Sequence, residues 1–189
     1  MLDPSGYYGA TLASAILMLF LTFVFAVALY VVSAYFLSKV FAKAGVEGSW
    51  RAWVPFYNMM VFSKLGDLSP WLVLYCLGGG IVLSWTGLGF LFSLAMLAVT
   101  GMAAYRVGLK LGAEPAMVAL WLLPVVWLGL MGLGKASWNN AISPAPWAGQ
   151  GFLEDRTTWA GVPAQTPTQF HQQPPTMPPP APGTQGYSA

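Results

Sequence analysis

The chain of 189 residues is 57% hydrophobic and only 7% charged, and its mean hydropathy is +0.62. Soluble domains carry about 25% charged residues, so a chain this poor in charge cannot cover a water-facing surface, and we predict an integral membrane protein. The net charge of +2 does not indicate nucleic-acid binding, and a single cysteine, Cys76, excludes both a disulfide framework and a cysteine-based zinc site.

The first apolar segment covers residues 11–37 and contains no charged residue. About 20 helical residues cross a 30 Å hydrocarbon core, so this segment can span a membrane with some tilt. The first basic residues, Lys39 and Lys43, follow it directly. Because basic residues are enriched in cytoplasmic loops, we expect residues 1–10 outside the cell and the chain from residue 38 inside.

The segment that follows, residues 41–66, combines aromatic, basic and glycine residues around Pro55. It is too interrupted to cross a bilayer, and broken helices persist at membrane depth only where protein or a cavity satisfies their polar groups. Residues 48–66 are therefore predicted to form an interfacial or partly re-entrant element, and an ordinary belt of interfacial aromatic residues is the simpler alternative. The candidate functional residues are Trp50, Arg51, Trp53, Pro55, Tyr57 and Asn58, together with Pro124 further along the chain.

Residues 68–105 form a second and longer uncharged segment. As one helix, its 38 residues would measure about 57 Å, nearly twice the thickness of the hydrocarbon core. A hairpin of two helices, at about 70–85 and 90–105, is therefore predicted. Glycines 78–80 indicate either the close approach of a neighbouring helix or the true break between the two helices.

A last apolar segment at about 116–134 contains Pro124, which is expected to kink it. With this segment as a span, four spans place six of the eight basic residues inside and send the C-terminus outside. A three-span alternative, with residues 68–105 as one crossing, also places six inside. The four-span arrangement is preferred, because Arg156 contributes to the alternative although it lies far from any membrane edge.

Two short stretches of the chain are similar to each other. Gly45-Val-Glu47 precedes Pro55 as Gly112-Ala-Glu114 precedes Pro124. Many transporters are built from internal repeats. Only three positions match here, and the spacing differs by two residues, so the sequence alone favours a chance similarity.

Residues 136–189 are predicted to form a disordered tail after the transmembrane domain of residues 11–135. Ten of the fifteen prolines lie in residues 144–189, among glutamine, threonine and glycine. Such a composition buries too little apolar surface to offset chain entropy, and it favours polyproline II conformations. The tail is interpreted as a tether and as the candidate site for a protein partner.

No arrangement typical of catalysis or cofactor binding is found in the sequence. The single histidine, His171, lies in the predicted tail, and none of the six carboxylates lies inside a predicted span. This removes nucleophile–histidine pairs and intramembrane carboxylate pairs, and no glycine-rich phosphate loop is present. We therefore predict no enzyme, no cofactor and no bound metal.

From Ala44 to Asn58 the chain resembles a family of small bacterial multi-spanning membrane proteins of unknown function. That family has the pattern Ala-Gly-x-x-Gly-Trp-x-Ala-x-Ile-Pro-Ile-Tyr-Asn, which is matched here with Ser49 as one inserted residue. Weaker counterparts follow at Gly66 with Pro70-Trp71, at Leu123-Pro124 and at Gly132-Leu133-Gly134. The resemblance covers roughly residues 40–135 and implies an inner-membrane domain, without an established activity or catalytic residues.

Taken together, these features predict an all-α bundle of four spans in the bacterial cell membrane, with the lipid bilayer as partner and no nucleic acid. The first functional interpretation is a non-enzymatic protein that binds or scaffolds a partner. The alternative is a carrier or passage for an uncharged or lipid-like solute, with Tyr57 and Asn58 as polar lining.

Overall fold

The computed structural model describes residues 4–165, so the predicted tail beyond residue 165 lies outside the described residues. Within this range the chain is all-helical, with two isolated bridges and no strand. The α-helices of this part are α1 (Pro4–Lys43), α2 (Tyr57–Leu65), α3 (Trp71–Leu83), α4 (Gly89–Lys110) and α5 (Pro124–Leu133). Short 3₁₀ helices lie between them at Ser49–Ala52, Ser84–Thr86 and Pro115–Leu122.

Two helices are long and apolar enough, by length and composition, to cross a membrane: Tyr8–Lys43 within α1, and α4. The 40 residues of α1 extend over about 60 Å at 1.5 Å per residue. Every side chain from residue 8 to residue 29 is exposed, and most of them are apolar. Such a large exposed apolar surface is typical of a segment that contacts lipid.

The uncharged residues 68–105 fold as a hairpin of α3 and α4. Its turn is the 3₁₀ helix Ser84–Thr86 followed by Gly87, whose φ of 78° lies in the left-handed region. α3 has 13 residues, about 20 Å, and is shorter than a 30 Å hydrocarbon core. The glycines at 78–80 do not break this helix; Gly79 lies against the ring of Phe92 on α4 and leaves no room for a side chain.

The last apolar segment differs from the kinked span that its sequence predicts. Residues 116–134 are divided between the 3₁₀ helix Pro115–Leu122, which packs along α4, and α5, which packs along α1. α5 restarts at Pro124, where the fixed φ and the missing N–H prevent the preceding helix from continuing through.

Both ends of this segment lie at one end of the bundle. Gly132 of α5 lies against the backbone carbonyl of Phe36 in the last third of α1. Lys43 Nζ, at the end of α1, donates hydrogen bonds to the carbonyl oxygens of Met131 (2.7 Å) and Gly134 (2.6 Å). Since the segment also begins beside the end of α4, it enters the bundle and returns instead of crossing it.

Residues 48–66 form an element that also enters the bundle. α2 packs against α3 and α4, and nearly all of its residues are buried. Only the approach to α2 is at the surface, where Trp50, Trp53 and Phe56 are exposed. Residues 48–66 therefore combine an exposed aromatic approach with a mostly buried helix.

The two similar stretches of sequence belong to two similar structural units. α1, the 3₁₀ helix Ser49–Ala52, Pro55 and α2 follow in the same order as α4, the 3₁₀ helix Pro115–Leu122, Pro124 and α5. After each long helix the chain turns at a glycine with positive φ, 75° at Gly45 and 70° at Gly112. Each long helix packs against its own 3₁₀ helix and against the short helix of the other unit. The two stretches therefore lie at corresponding positions in two similar helical arrangements.

Residues 136–165 contain no helix but are packed on the end of the bundle where α1 and α4 end. Ala145, Trp147, Val162 and Gln165 are buried there. The predicted disorder is therefore wrong from residue 136 to residue 165. The physical reason is that tryptophan side chains and a buried carboxylate in this segment supply contacts that proline and glycine content does not reveal.

Candidate functional site

A cavity of about 720 Å³ lies between the two proline-broken elements. Its walls come from α1, α3 and α4, from the approach to α2, and from the junction between the last 3₁₀ helix and α5. No lysine, arginine, aspartate or glutamate lines it. The lining residues whose side chains carry polar atoms are Tyr30, Ser33, Asn58, Ser93, Thr100 and Trp121.

The two prolines position the cavity. Pro55 and Pro124 both line it, each at the point where a short helix begins. Phe56, which also lines it, adopts φ 63° and ψ −45°. A bulky residue at positive φ costs on the order of 1–3 kcal/mol, and such strain occurs preferentially at ligand sites and switches.

Most polar lining groups are oriented by neighbouring groups. Asn58 is buried, and its amide nitrogen donates to the Ala52 carbonyl oxygen (3.2 Å). The Tyr30 hydroxyl donates to the Trp53 carbonyl oxygen (2.9 Å). The Thr100 hydroxyl donates within α4 and accepts a hydrogen bond from the Trp121 indole, at 3.3 Å. These contacts fix the cavity wall and join its two proline-broken sides to α1 and α4.

An aromatic stack lies outside the cavity. The Tyr57 ring is stacked between Trp50 and Trp159, at centroid distances of 5.8 Å and 5.6 Å. The Arg51 guanidinium lies over Trp50 at 5.3 Å, and it donates hydrogen bonds to the Tyr57 hydroxyl and to the Ala160 carbonyl oxygen. This stack attaches the C-terminal segment to residues 50–57, between α1 and α2.

A buried ionic cluster lies between the α2–α3 turn and the end of α4. Arg106 donates to Asp67 Oδ2 from Nε and Nη2, both at 2.7 Å. Lys110 Nζ donates to Asp67 Oδ1 (2.6 Å) and to the Leu65 carbonyl oxygen (2.7 Å). All three charged side chains are less than 10% exposed. We refer to Asp67, Arg106 and Lys110 as the Asp67 cluster.

The C-terminal segment completes the ionic contacts at this end. Lys64 Nζ, which is 1% exposed, lies 2.5 Å from Asp155 Oδ2. The Trp147 indole donates to the Asp67 carbonyl oxygen (3.0 Å), and Lys110 donates to the Gln165 side chain (3.1 Å). A buried ammonium needs such partners because its desolvation is costly. The segment is therefore part of the folded core.

The seven predicted candidate residues fall into two places. Pro55, Asn58 and Pro124 lie in the cavity wall. Tyr57 does not line the cavity, and it joins Trp50 and Arg51 in the aromatic stack. Trp53 contributes its carbonyl oxygen to Tyr30, and its side chain is partly exposed.

The buried ionic residues were not predicted as candidates. They are Lys64, Asp67, Arg106, Lys110 and Asp155. The sequence does contain one signal for them. Arg106 and Lys110 are four positions apart at the end of an uncharged segment, and this spacing places both on one face of a helix. No group of three histidine, cysteine, aspartate or glutamate side chains within residues 4–165 could hold a metal ion.

The fold and the cavity define an all-helical protein with two helices able to cross a membrane. Comparison of the chain with protein-family models, curated proteins and solved structures finds no match. The resemblance to small bacterial membrane proteins therefore stays a prediction from the sequence, carried mainly by residues 44–58.

Proposed function

We propose that this chain is a non-enzymatic membrane protein that binds an uncharged, lipid-like ligand in the open cavity between its two proline-broken elements. The observation that carries the proposal is the 720 Å³ space, free of charged residues, between two proline-broken helices. Binding sites for small molecules typically have volumes of about 300–1,000 Å³ and mainly apolar walls. Broken helices at membrane depth are expected where they line such a cavity.

The lining also defines the class of ligand. A charged ligand would lose its hydration without meeting an opposite charge, so an uncharged molecule fits better. The amide of Asn58 and the hydroxyls of Ser33 and Ser93 can meet one or two hydroxyl or carbonyl groups. A ligand that fits this lining has one apolar chain and few polar atoms, as an uncharged single-chain amphiphile does.

The position of the charges supports a single membrane orientation. All eight basic residues lie at the ends of α1, α2, α4 and α5 that meet at one end of the bundle, or in the segments that follow those ends. By the positive-inside rule, we place this end in the cytoplasm of a bacterial cell and the N-terminus outside. α1 then crosses towards the cytoplasmic end, and α4, the second helix long enough to cross, brings the α3–α4 hairpin back to that end. The elements that contain α2 and α5 enter from the cytoplasmic end and return to it. Residues 136–165 then lie inside, in contrast to the four-span prediction.

Cysteine labelling tests this orientation. With Cys76 replaced, a cysteine at Ser137 should react with an impermeant reagent only after the cells are permeabilised. Labelling of intact cells at Ser137 would refute the orientation.

Scaffolding through a C-terminal tether receives less support. Residues 136–165, which the sequence assigns to the tether, are held against the bundle by Asp155, Trp147 and Trp159. Only the residues after 165 are left for that role.

Photo-crosslinking tests the cavity. A photoreactive monoacylglycerol should label the purified protein within residues 93–100 of α4. Ser33→Phe should reduce this labelling about tenfold, because the new ring fills part of the cavity and leaves less room for the ligand. Ser14→Phe is the matched control, because Ser14 lies on the exposed part of the same helix. Equal labelling of both variants would overturn the proposal.

A further inference from the structure

The basic side chains of this protein fall into two groups. Four are within ion-pair distance of a carboxylate: Lys64, Arg106, Lys110 and Arg156. Arg51 belongs to the aromatic stack. The remaining three, Lys39, Lys43 and Lys135, have no carboxylate within ion-pair distance among residues 4–165.

These three lysines lie at one place, where α1 and α5 end side by side. Gly132 allows this close approach, since a Cβ built on it would lie 3.3 Å from Lys39 Cβ. Lys43 is fixed there by its bonds to the Met131 and Gly134 carbonyl oxygens, and Lys135 is the next residue. We refer to Lys39, Lys43 and Lys135 as the lysine seam.

The charge of the lysine seam is only partly compensated. The carbonyl groups at the end of α5 carry partial negative charge, roughly half an elementary charge for a whole helix end. Lys39 lies 5.1 Å from the centre of the Tyr35 ring, a contact that also leaves its charge in place. The three lysine side chains therefore belong to neighbouring helix ends, and no carboxylate of residues 4–165 lies within ion-pair distance of them.

The surface next to the lysine seam is apolar. Going back along α1 and α5 from the lysines, the exposed side chains are hydrophobic: Val32, Tyr35, Leu130 and Leu133. A cationic rim directly above an apolar helix surface matches the order of groups in a phospholipid, phosphate first and hydrocarbon chain below. Basic pockets between helices at the cytoplasmic face bind anionic headgroups for this reason.

We propose that the lysine seam binds an anionic phospholipid of the leaflet at that end, with the phosphate between the three ammonium groups and an acyl chain along α1 and α5. This ligand is distinct from the uncharged ligand of the cavity, and neither site depends on the other. A basic residue near an anionic membrane surface contributes roughly a fivefold gain in affinity. Two lysines therefore contribute roughly 25-fold.

Lipid titration of the full chain tests the proposal. Purified protein in uncharged detergent is titrated with phosphatidylglycerol or phosphatidylcholine, and bound lipid is counted by native mass spectrometry. Phosphatidylglycerol should bind with at least tenfold higher affinity than phosphatidylcholine. The double variant Lys39→Gln, Lys135→Gln should lose roughly 25-fold of that affinity; both side chains are exposed, so the melting temperature without lipid should not change.

Two controls distinguish a lipid site at the lysine seam from a general effect of positive charge and from a site for free phosphate. Arg156→Gln removes an exposed basic side chain that is paired with Glu154 and lies outside the lysine seam, so its affinity should match that of the wild type. Inorganic phosphate should neither bind stoichiometrically nor displace the lipid. The proposal would be overturned if the two lipids bound equally or if the double variant kept the wild-type affinity. It would also be overturned if Arg156→Gln lost as much affinity as the double variant, or if free phosphate displaced the lipid.

Discussion

Replacing Asp67 with asparagine tests whether the Asp67 cluster holds the bundle together. The carboxylate accepts bonds of 2.6–2.7 Å from Arg106 and Lys110, which are 5% and 1% exposed. Asparagine has nearly the same shape, but it can accept from only one of the two cations and presents an N–H₂ group to the other. Removing one partner of a buried ion pair costs about 3–5 kcal/mol, because a charge is left without compensation.

Thermal unfolding in detergent measures this loss. For domains of 150–250 residues, 1 kcal/mol shifts the melting temperature by about 2–4 °C, so Asp67→Asn should melt roughly 6–20 °C lower. Glu154→Gln is the control, because its partner Arg156 is 65% exposed and surface pairs contribute about 0–1 kcal/mol. If Asp67→Asn melts within 2 °C of the wild type, water reaches the cluster and the argument from burial fails.

Two further predictions concern packing and the C-terminal segment. Gly66→Ala should destabilise the fold by about 1–3 kcal/mol, because its new Cβ would lie 2.5 Å from Ala103 Cα, whereas Gly78→Ala, with nothing within 4 Å, should be neutral or stabilising. Equal melting temperatures for the two variants would show that α2 and α4 can separate freely. Truncation after Gln165 should leave the melting temperature unchanged, and truncation after Ser143 should lower it because Lys64 loses Asp155. Similar curves for the two truncations would contradict a structural role for residues 144–165.

The sequence predicted an all-helical fold and most of its helices. Long uncharged segments at residues 11–37 and 68–105 permit few arrangements other than helices in a membrane. The hairpin was predicted because a single helix of residues 68–105 would be nearly twice as long as the hydrocarbon core is thick, whereas the sequence left open whether glycines 78–80 mark the break. The last apolar segment was assigned wrongly as one span, because a proline that kinks a helix and a proline at which a helix reverses leave the same local signal. The packing of α5 against α1 distinguishes these two cases, and a hydropathy pattern carries no information about that contact.

The candidate site was predicted only in part, for a related reason. Pro55, Asn58 and Pro124 stood out because prolines and amides are unusual in apolar segments, and all three line the cavity. The ionic pairs did not stand out because their members are far apart in the chain. Asp155 lies in a segment rich in proline and glycine, and its role becomes visible only when Lys64 is placed beside it.

The distance in sequence between Lys64 and Asp155 has a consequence for the order in which the protein assembles during synthesis. The two residues are 91 positions apart, and at about 5–20 residues per second the ribosome needs roughly 5–18 s to make the chain between them. During that interval the Lys64 ammonium has no counter-charge, so burial of the end of α2 is unfavourable. α1 can enter the membrane early, but the final docking of α2 must wait until the C-terminal segment has emerged. A nascent chain that ends before Asp155 should therefore hold α2 in contact with water, with the long helices already in place.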